Sequence, residues 1–156
     1  VFNFSWGAPT ENKAITRAIN DAVNNGAFVN AAAGNNGTGI LSFPGALPNV
    51  ISWGAHDVRG NKASFSQYGN NLVGIAPGVQ IWSCFKDNGS YVSWDGTSMA
   101  TPHGTAAVGL LLKYNPEIKT QNELKEYLTK NLTDGGNPGR DDWYGWGYPK
   151  FDGLFK

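Results

Sequence analysis

At 156 residues the chain has the length of one domain, and its 40% hydrophobic content is enough for a packed core. Twelve basic residues balance twelve acidic ones, so no basic stripe argues for nucleic acid. No apolar run reaches the length of a membrane span, and one cysteine, Cys84, rules out an internal disulfide without fixing the compartment.

Val1 to Trp6 is an apolar, aromatic run that ends in Gly7-Ala8-Pro9, which predicts a strand and a turn. The chain opens on Val1 inside this strand, with no charged leader, and reads as a piece of a longer protein. From Asn12 to Asn25, Ala14, Ile15, Ala18, Ile19, Ala22 and Val23 form one helical face, and Gly26 supplies the stop. Phe28 to Ala33 reads as a second strand, followed by Gly34-Asn35-Asn36-Gly37. Strand, helix, strand at this spacing predicts a βαβ unit and hence a parallel sheet.

Asn49 to Ala55 is a third buried strand, and Leu72–Ile75, Ile81–Phe85 and Tyr91–Trp94 are short strand candidates. Cys84 lies within an apolar run and reads as a small buried hydrophobe rather than a reactive thiol. Thr101 to Tyr114 is small or apolar almost all round, which predicts a fully buried helix with Pro102 in its first turn. Thr120 and Glu123 have capping-box spacing and open a helix to about Asn131, with Ile118, Leu124, Tyr127 and Leu128 on its apolar face. Asp134 to Lys156 is rich in glycine and aromatic residues and has no clear period. The sequons at Asn3, Asn36, Asn88 and Asn131 are what an Asn-rich chain produces by chance.

The chemistry centres on Gly96-Thr97-Ser98-Met99-Ala100-Thr101-Pro102-His103. A serine hydroxyl is a weak nucleophile unless it is held rigidly and a base takes its proton. Ser98 lies between a glycine turn and a buried helix, where free N–H groups and the helix dipole favour a developing oxyanion. Gly-Thr-Ser alone would read as a helix cap and no more; the full eight-residue run is far more specific.

The whole run resembles the nucleophile motif of the subtilisin family of serine proteases. Val1 to Gly7 is similar to the family's substrate-strand segment, and Ala31-Ala32-Ala33-Gly34-Asn35 to its oxyanion-hole segment. Phe43-Pro44-Gly45, Val50-Ile51, Ala63-Ser64-Phe65-Ser66 and Ala76-Pro77-Gly78 follow in the family's order. The resemblance implies an α/β, three-layer fold with a mostly parallel sheet between helices, its N-terminal part missing. Residues 1–156 would be the C-terminal portion of a single, incomplete peptidase domain.

Carried over, Ser98 would be the acylating nucleophile, and the Asn35 amide with the Ser98 N–H would hold the oxyanion. Asn35 in isolation would read as a turn residue. Ser5, Trp6 and Gly7 would offer edge groups to an extended substrate. Ala32, Ala33 and Gly34 belong to the substrate-binding segment, and Ala32 and Gly34 would line a primary pocket with room for a large apolar side chain. Asn36 is neutral where some relatives carry an acid, which gives no ground for a basic preference. Trp6 reads either as narrowing a more distant subsite or as core packing.

The family's Asp and His precede its Ser in chain order, and no residue here matches them. The two histidines fit no catalytic position: His103 is a structural histidine of the motif, and His56 follows a strand beside Asp57. The resemblance implies no cofactor for the chemistry, with structural calcium in the full-length protein. A weaker cation site would use carbonyls of Gly45, Leu47 and Val50, but Val73 stands where its carboxylate belongs.

The expected function is therefore a serine endopeptidase acting on protein or peptide substrates, with its base supplied from outside this chain. Its expected partner is the N-terminal half of the domain, with no nucleic acid or membrane partner. Family habit suggests secretion, and intracellular relatives exist. The alternatives are a non-catalytic, peptide-binding or regulatory relative and a transpeptidase of the same family.

Overall fold

The computed structural model describes residues 1–86 and 89–150. The sequon at Asn88 and the last residues of the tail lie outside them. Chain order is β1 (Phe2–Phe4), α1 (Lys13–Asn24), β2 (Val29–Ala32), β3 (Ile51–His56), β4 (Gly74–Pro77), β5 (Ile81–Cys84), β6 (Tyr91–Trp94), α2 (Thr97–Tyr114) and α3 (Gln121–Asn131).

Strands β1 to β4 form a four-stranded sheet in sequential order. All its pairings are parallel, with Phe2 opposite Val29, Asn30 opposite Ile51 and Trp53 opposite Gly74. Alternation along the strands sorts their side chains between two faces. Val29 and Ala31 meet Ile19, Ile15 and Val23 of α1 on one side. Ile51, Trp53 and Ala55 meet Ala100, Val108 and Leu111 of α2, and Leu124 and Leu128 of α3, on the other. The result is an α/β fold of three layers, as the sequence implied.

The helix ends follow their caps. Asn12 Oδ1 accepts from the N–H groups of Ala14 and Ile15, and Gly26 leaves α1 at φ +85°. At α3 the Thr120 side chain accepts from the Glu123 N–H while the Glu123 carboxylate accepts from the Thr120 N–H. Gly104 lets α2 settle on the Trp53 indole, since a Cβ there would fall 2.6 Å from the indole nitrogen.

Four expectations change. Helix α2 starts at Thr97, so Pro102 lies beyond the first turn, where it has no N–H to give the Ser98 carbonyl. Nor is α2 buried all round: Ala100, Gly104, Ala107 and Leu111 face the sheet, while Pro102, His103, Ala106 and Leu110 are exposed, because no described element packs against them. Strand β4 begins at Gly74 rather than Leu72, because a turn closed by the Leu72 N–H on the Gly69 carbonyl occupies the preceding residues. Cys84 is exposed. It stands on a two-stranded hairpin opposite Tyr91, on the same exposed face as Trp82, and no second layer covers that face.

The aperiodic tail closes the sheet. Trp146 N–H donates to the Val73 carbonyl at 2.9 Å, and Ile75 N–H to the Gly147 carbonyl at 2.9 Å. A Cβ on Gly145 or Gly147 would strike backbone, and both have positive φ. The other edge, β1, has no further strand beside it among the described residues, and Phe2 is 49% exposed there.

Candidate active site

The site lies where the chain leaves β1 and β2 and enters α2. After β2 the chain runs through Ala33 and Gly34 to Asn35, with Gly34 at φ +110°. After β6, Gly96 N–H donates to the Gly78 carbonyl at 2.8 Å, and α2 begins at the next residue. Gln80, held at φ +55°, is tied to the same stretch, its N–H donating to Asp95 Oδ1 at 2.6 Å.

Thr97 joins the two arms. Its N–H and its hydroxyl both donate to Asn35 Oδ1, at 2.9 and 2.8 Å, and its Oγ1 accepts from the Gly34 N–H at 3.1 Å. With its carbonyl oxygen committed, Asn35 turns its amide nitrogen toward Gly96. A Cβ built on Gly96 would lie 3.5 Å from Asn35 Nδ2 and 3.7 Å from the Ser98 nitrogen. The two nitrogens therefore border one small space, together with Met99 Sδ at 3.3 Å, and residue 96 has no side chain to fill it. The sequence reading passed over Thr97. Its adjacency to Ser98 was visible, but not its bond to a residue 62 positions away.

Ser98 is half-buried, and its hydroxyl donates to the Ser5 carbonyl at 2.8 Å. Neither histidine reaches it. His103 Nδ1 donates to Met99 O at 2.8 Å within its own helix, and His56 Nδ1 to Asp57 O at 2.7 Å. A backbone carbonyl does not take up a proton near neutral pH, so the Ser5 contact does not activate Ser98.

A cleft of about 250 Å³ opens beside Ser98, lined by Trp6, Gly7, Ala32, Gly34 and Asn35 among others. Ala33 does not line it; it is fully buried against Leu41, Leu72 and Ile75. Ser5 does not line it either; its carbonyl accepts from the Ser98 hydroxyl. Trp6 is 41% exposed and leans on the rings of Phe4 and Phe43, with centroids 6.0 and 6.1 Å away, so it both packs and borders the cleft.

The family model of the subtilase peptidases matches residues 1–147. The chain belongs to the subtilase family. It is 41% identical over 132 residues to Subtilisin Savinase of Lederbergia lenta, which covers 83% of this chain and 49% of the relative. Identity to the Minor extracellular protease Epr of Bacillus subtilis is 36% over 148 residues, covering 94% of this chain and 23% of that one. The fold also matches the solved structure of the prenylagaramide maturation protease PagA, with TM-score 0.81 and 28% identity, over 95% of this chain and 57% of that one. The subtilase segment thus spans about half the length or less of these curated relatives.

Proposed function

We propose that this subtilase segment carries the nucleophile and oxyanion hole of a serine endopeptidase whose base and orienting carboxylate lie outside these residues. The observation that carries the reading is that Asn35 Nδ2 and the Ser98 nitrogen border one small space beside Gly96, in a cleft that Asn35 and Ser98 both line. The Ser98 oxygen attacks the peptide carbonyl carbon while the external base takes the hydroxyl proton. The oxyanion sits between the Asn35 amide and the Ser98 N–H. The base then returns the proton to the departing amine, leaving an acyl group on Ser98 for water to release.

The substrate adds along Ser5, Trp6 and Gly7 as an extended strand, and its side chain next to the scissile bond enters between Gly7 and Gly34. The proposed chemistry draws on no cofactor. A cleft of about 270 Å³ between β1 and α1, lined by Phe2, Phe4, Ile15 and Ile19, is where the missing half would pack. The outer face of α2 is a second such surface. No described helix is long and apolar enough to cross a membrane, and the named extracellular relative supports secretion.

The test is a fluorophosphonate probe applied to the assembled protease, in which this chain sits with the segment that supplies the base. A stoichiometric adduct at Ser98 is expected, and the isolated chain should label far more slowly. An assembled protein that leaves Ser98 unmodified would sink the proposal. Melting of this chain alone tests the partner: a cooperative, monomeric transition without the other half would count against it.

A further inference from the structure

Ser5 receives the hydroxyl of Ser98, yet the sheet ladder does not reach it: pairing of β1 with β2 ends at Phe4, opposite Ala31. Side chains tie it to α2 instead. Phe2 and Phe4 turn toward α1, so strand alternation sends Asn3 and Ser5 to the opposite face. On α2, Ser98 and Thr105 are two helical turns apart and share the face that meets β1. The Thr105 hydroxyl donates to Asn3 Oδ1 at 2.9 Å, and Asn3 Nδ2 donates to Ser5 Oγ at 2.9 Å. With the bond from the Ser98 hydroxyl to the Ser5 carbonyl at 2.8 Å, the four residues close a ring between strand and helix. Asn3 is exposed and Thr105 half-buried, so water can satisfy both, and their bond serves geometry more than stability.

From this ring we infer that Asn3 and Thr105 are positioning residues for peptide hydrolysis, which hold Ser5 in step with Ser98 so that a peptide laid along Ser5 to Gly7 arrives with its scissile carbonyl at the nucleophile. The inference rests on the endopeptidase reading above. An extended peptide takes its place from the strand it pairs with. If that strand slides along α2, the carbonyl leaves the point between the Ser98 oxygen and the Asn35 amide, although every reacting group is still present. A small acylating reagent does not pair with the strand, and it meets Ser98 wherever the strand lies. Asn3 and Thr105 touch no reacting atom; they act through Ser5.

The experiment uses the assembled protease, its active sites counted by fluorophosphonate titration of Ser98. It compares kcat/KM on a long peptide ester with that on a single-residue ester of the same final residue and leaving group. In Thr105→Val and in Asn3→Leu the ratio of long to short is expected to fall about 3- to 10-fold, the range of one net hydrogen bond, while the rate of fluorophosphonate labelling holds. Thr105→Ser keeps the hydroxyl and should keep the ratio. The double variant should lose no more than either single one, because both cut the same link. A role confined to stability would lower the titrated amount of active enzyme and leave the ratio unmoved. A Thr105→Val ratio equal to wild type overturns the inference, as does a double variant whose loss is the product of the two single losses. Should Asn3→Leu fail to assemble, Thr105→Val decides by itself. Absence of the Ser98 adduct in the unaltered protease instead overturns the endopeptidase reading and the inference with it.

Discussion

The hydroxyl of Thr97 donates to Asn35 Oδ1 at 2.8 Å, and this bond decides which end of the Asn35 amide faces Gly96 and the backbone of Ser98. An asparagine on an exposed turn can rotate about its last torsion, which is broad. Thr97, 1% exposed and bonded at both its nitrogen and its oxygen, removes that freedom.

Replacing Thr97 by Val should therefore impair catalysis without touching a reacting atom. Val keeps the shape but leaves the Gly34 N–H and one bond of Asn35 unsatisfied, worth about 1–3 kcal/mol. A fall in kcat with little change in KM is expected in the assembled protease, and Thr97→Ser should restore most of it. An unchanged kcat in Thr97→Val would show that Asn35 is oriented by other means.

Asn35→Leu should lower kcat by about 10²–10³-fold, a figure taken from removal of one such donor in a subtilisin and not from this geometry. Fluorophosphonate labelling of Ser98 should slow along with it. An equal loss in KM would point to ground-state binding instead.

Gly104→Ala tests the seating of α2. The added methyl would enter the Trp53 ring, whose Nε1–H is held by Asn30 Oδ1 at 2.9 Å, so the ring cannot swing aside cheaply. Overpacking of this kind costs about 1–3 kcal/mol. A lower midpoint of thermal unfolding is expected, measured with the partner half present.

The capping box of α3 gives a pH dependence. The N–H groups of Lys119 and Thr120 hold the Glu123 carboxyl below its usual range. A depressed folded value means that this contribution is present at neutral pH and is lost as pH falls through the acid range. Unfolding midpoints of Glu123→Gln should thus lose part of the acid-side decline seen in the unaltered chain. A parallel decline in both would remove Glu123 as a cause.

Local pattern carried much of the architecture. The face of α1, the Thr120–Glu123 cap and the strand at Phe28–Ala33 are short-range matters of period and capping, and they appear in the structure close to where the residues predicted them. Local pattern failed where a neighbour distant in sequence decides. The run around Cys84 looked like core because it is apolar, yet a hairpin with no second layer leaves it in solvent. The tail looked irregular because it has no period, yet its backbone completes the β4 edge.

The sequence by itself determined the family motif and singled out Ser98 and Asn35 as candidates, since residue type and order suffice for both. Only the tertiary structure decided that Thr97 orients Asn35, that the Ser98 hydroxyl rests on the Ser5 carbonyl, and that Thr105 bonds Asn3. Each is a hydrogen bond across 62 or more residues. No local periodicity encodes such a bond; it exists only once the parallel sheet has brought β1, β2 and the start of α2 together.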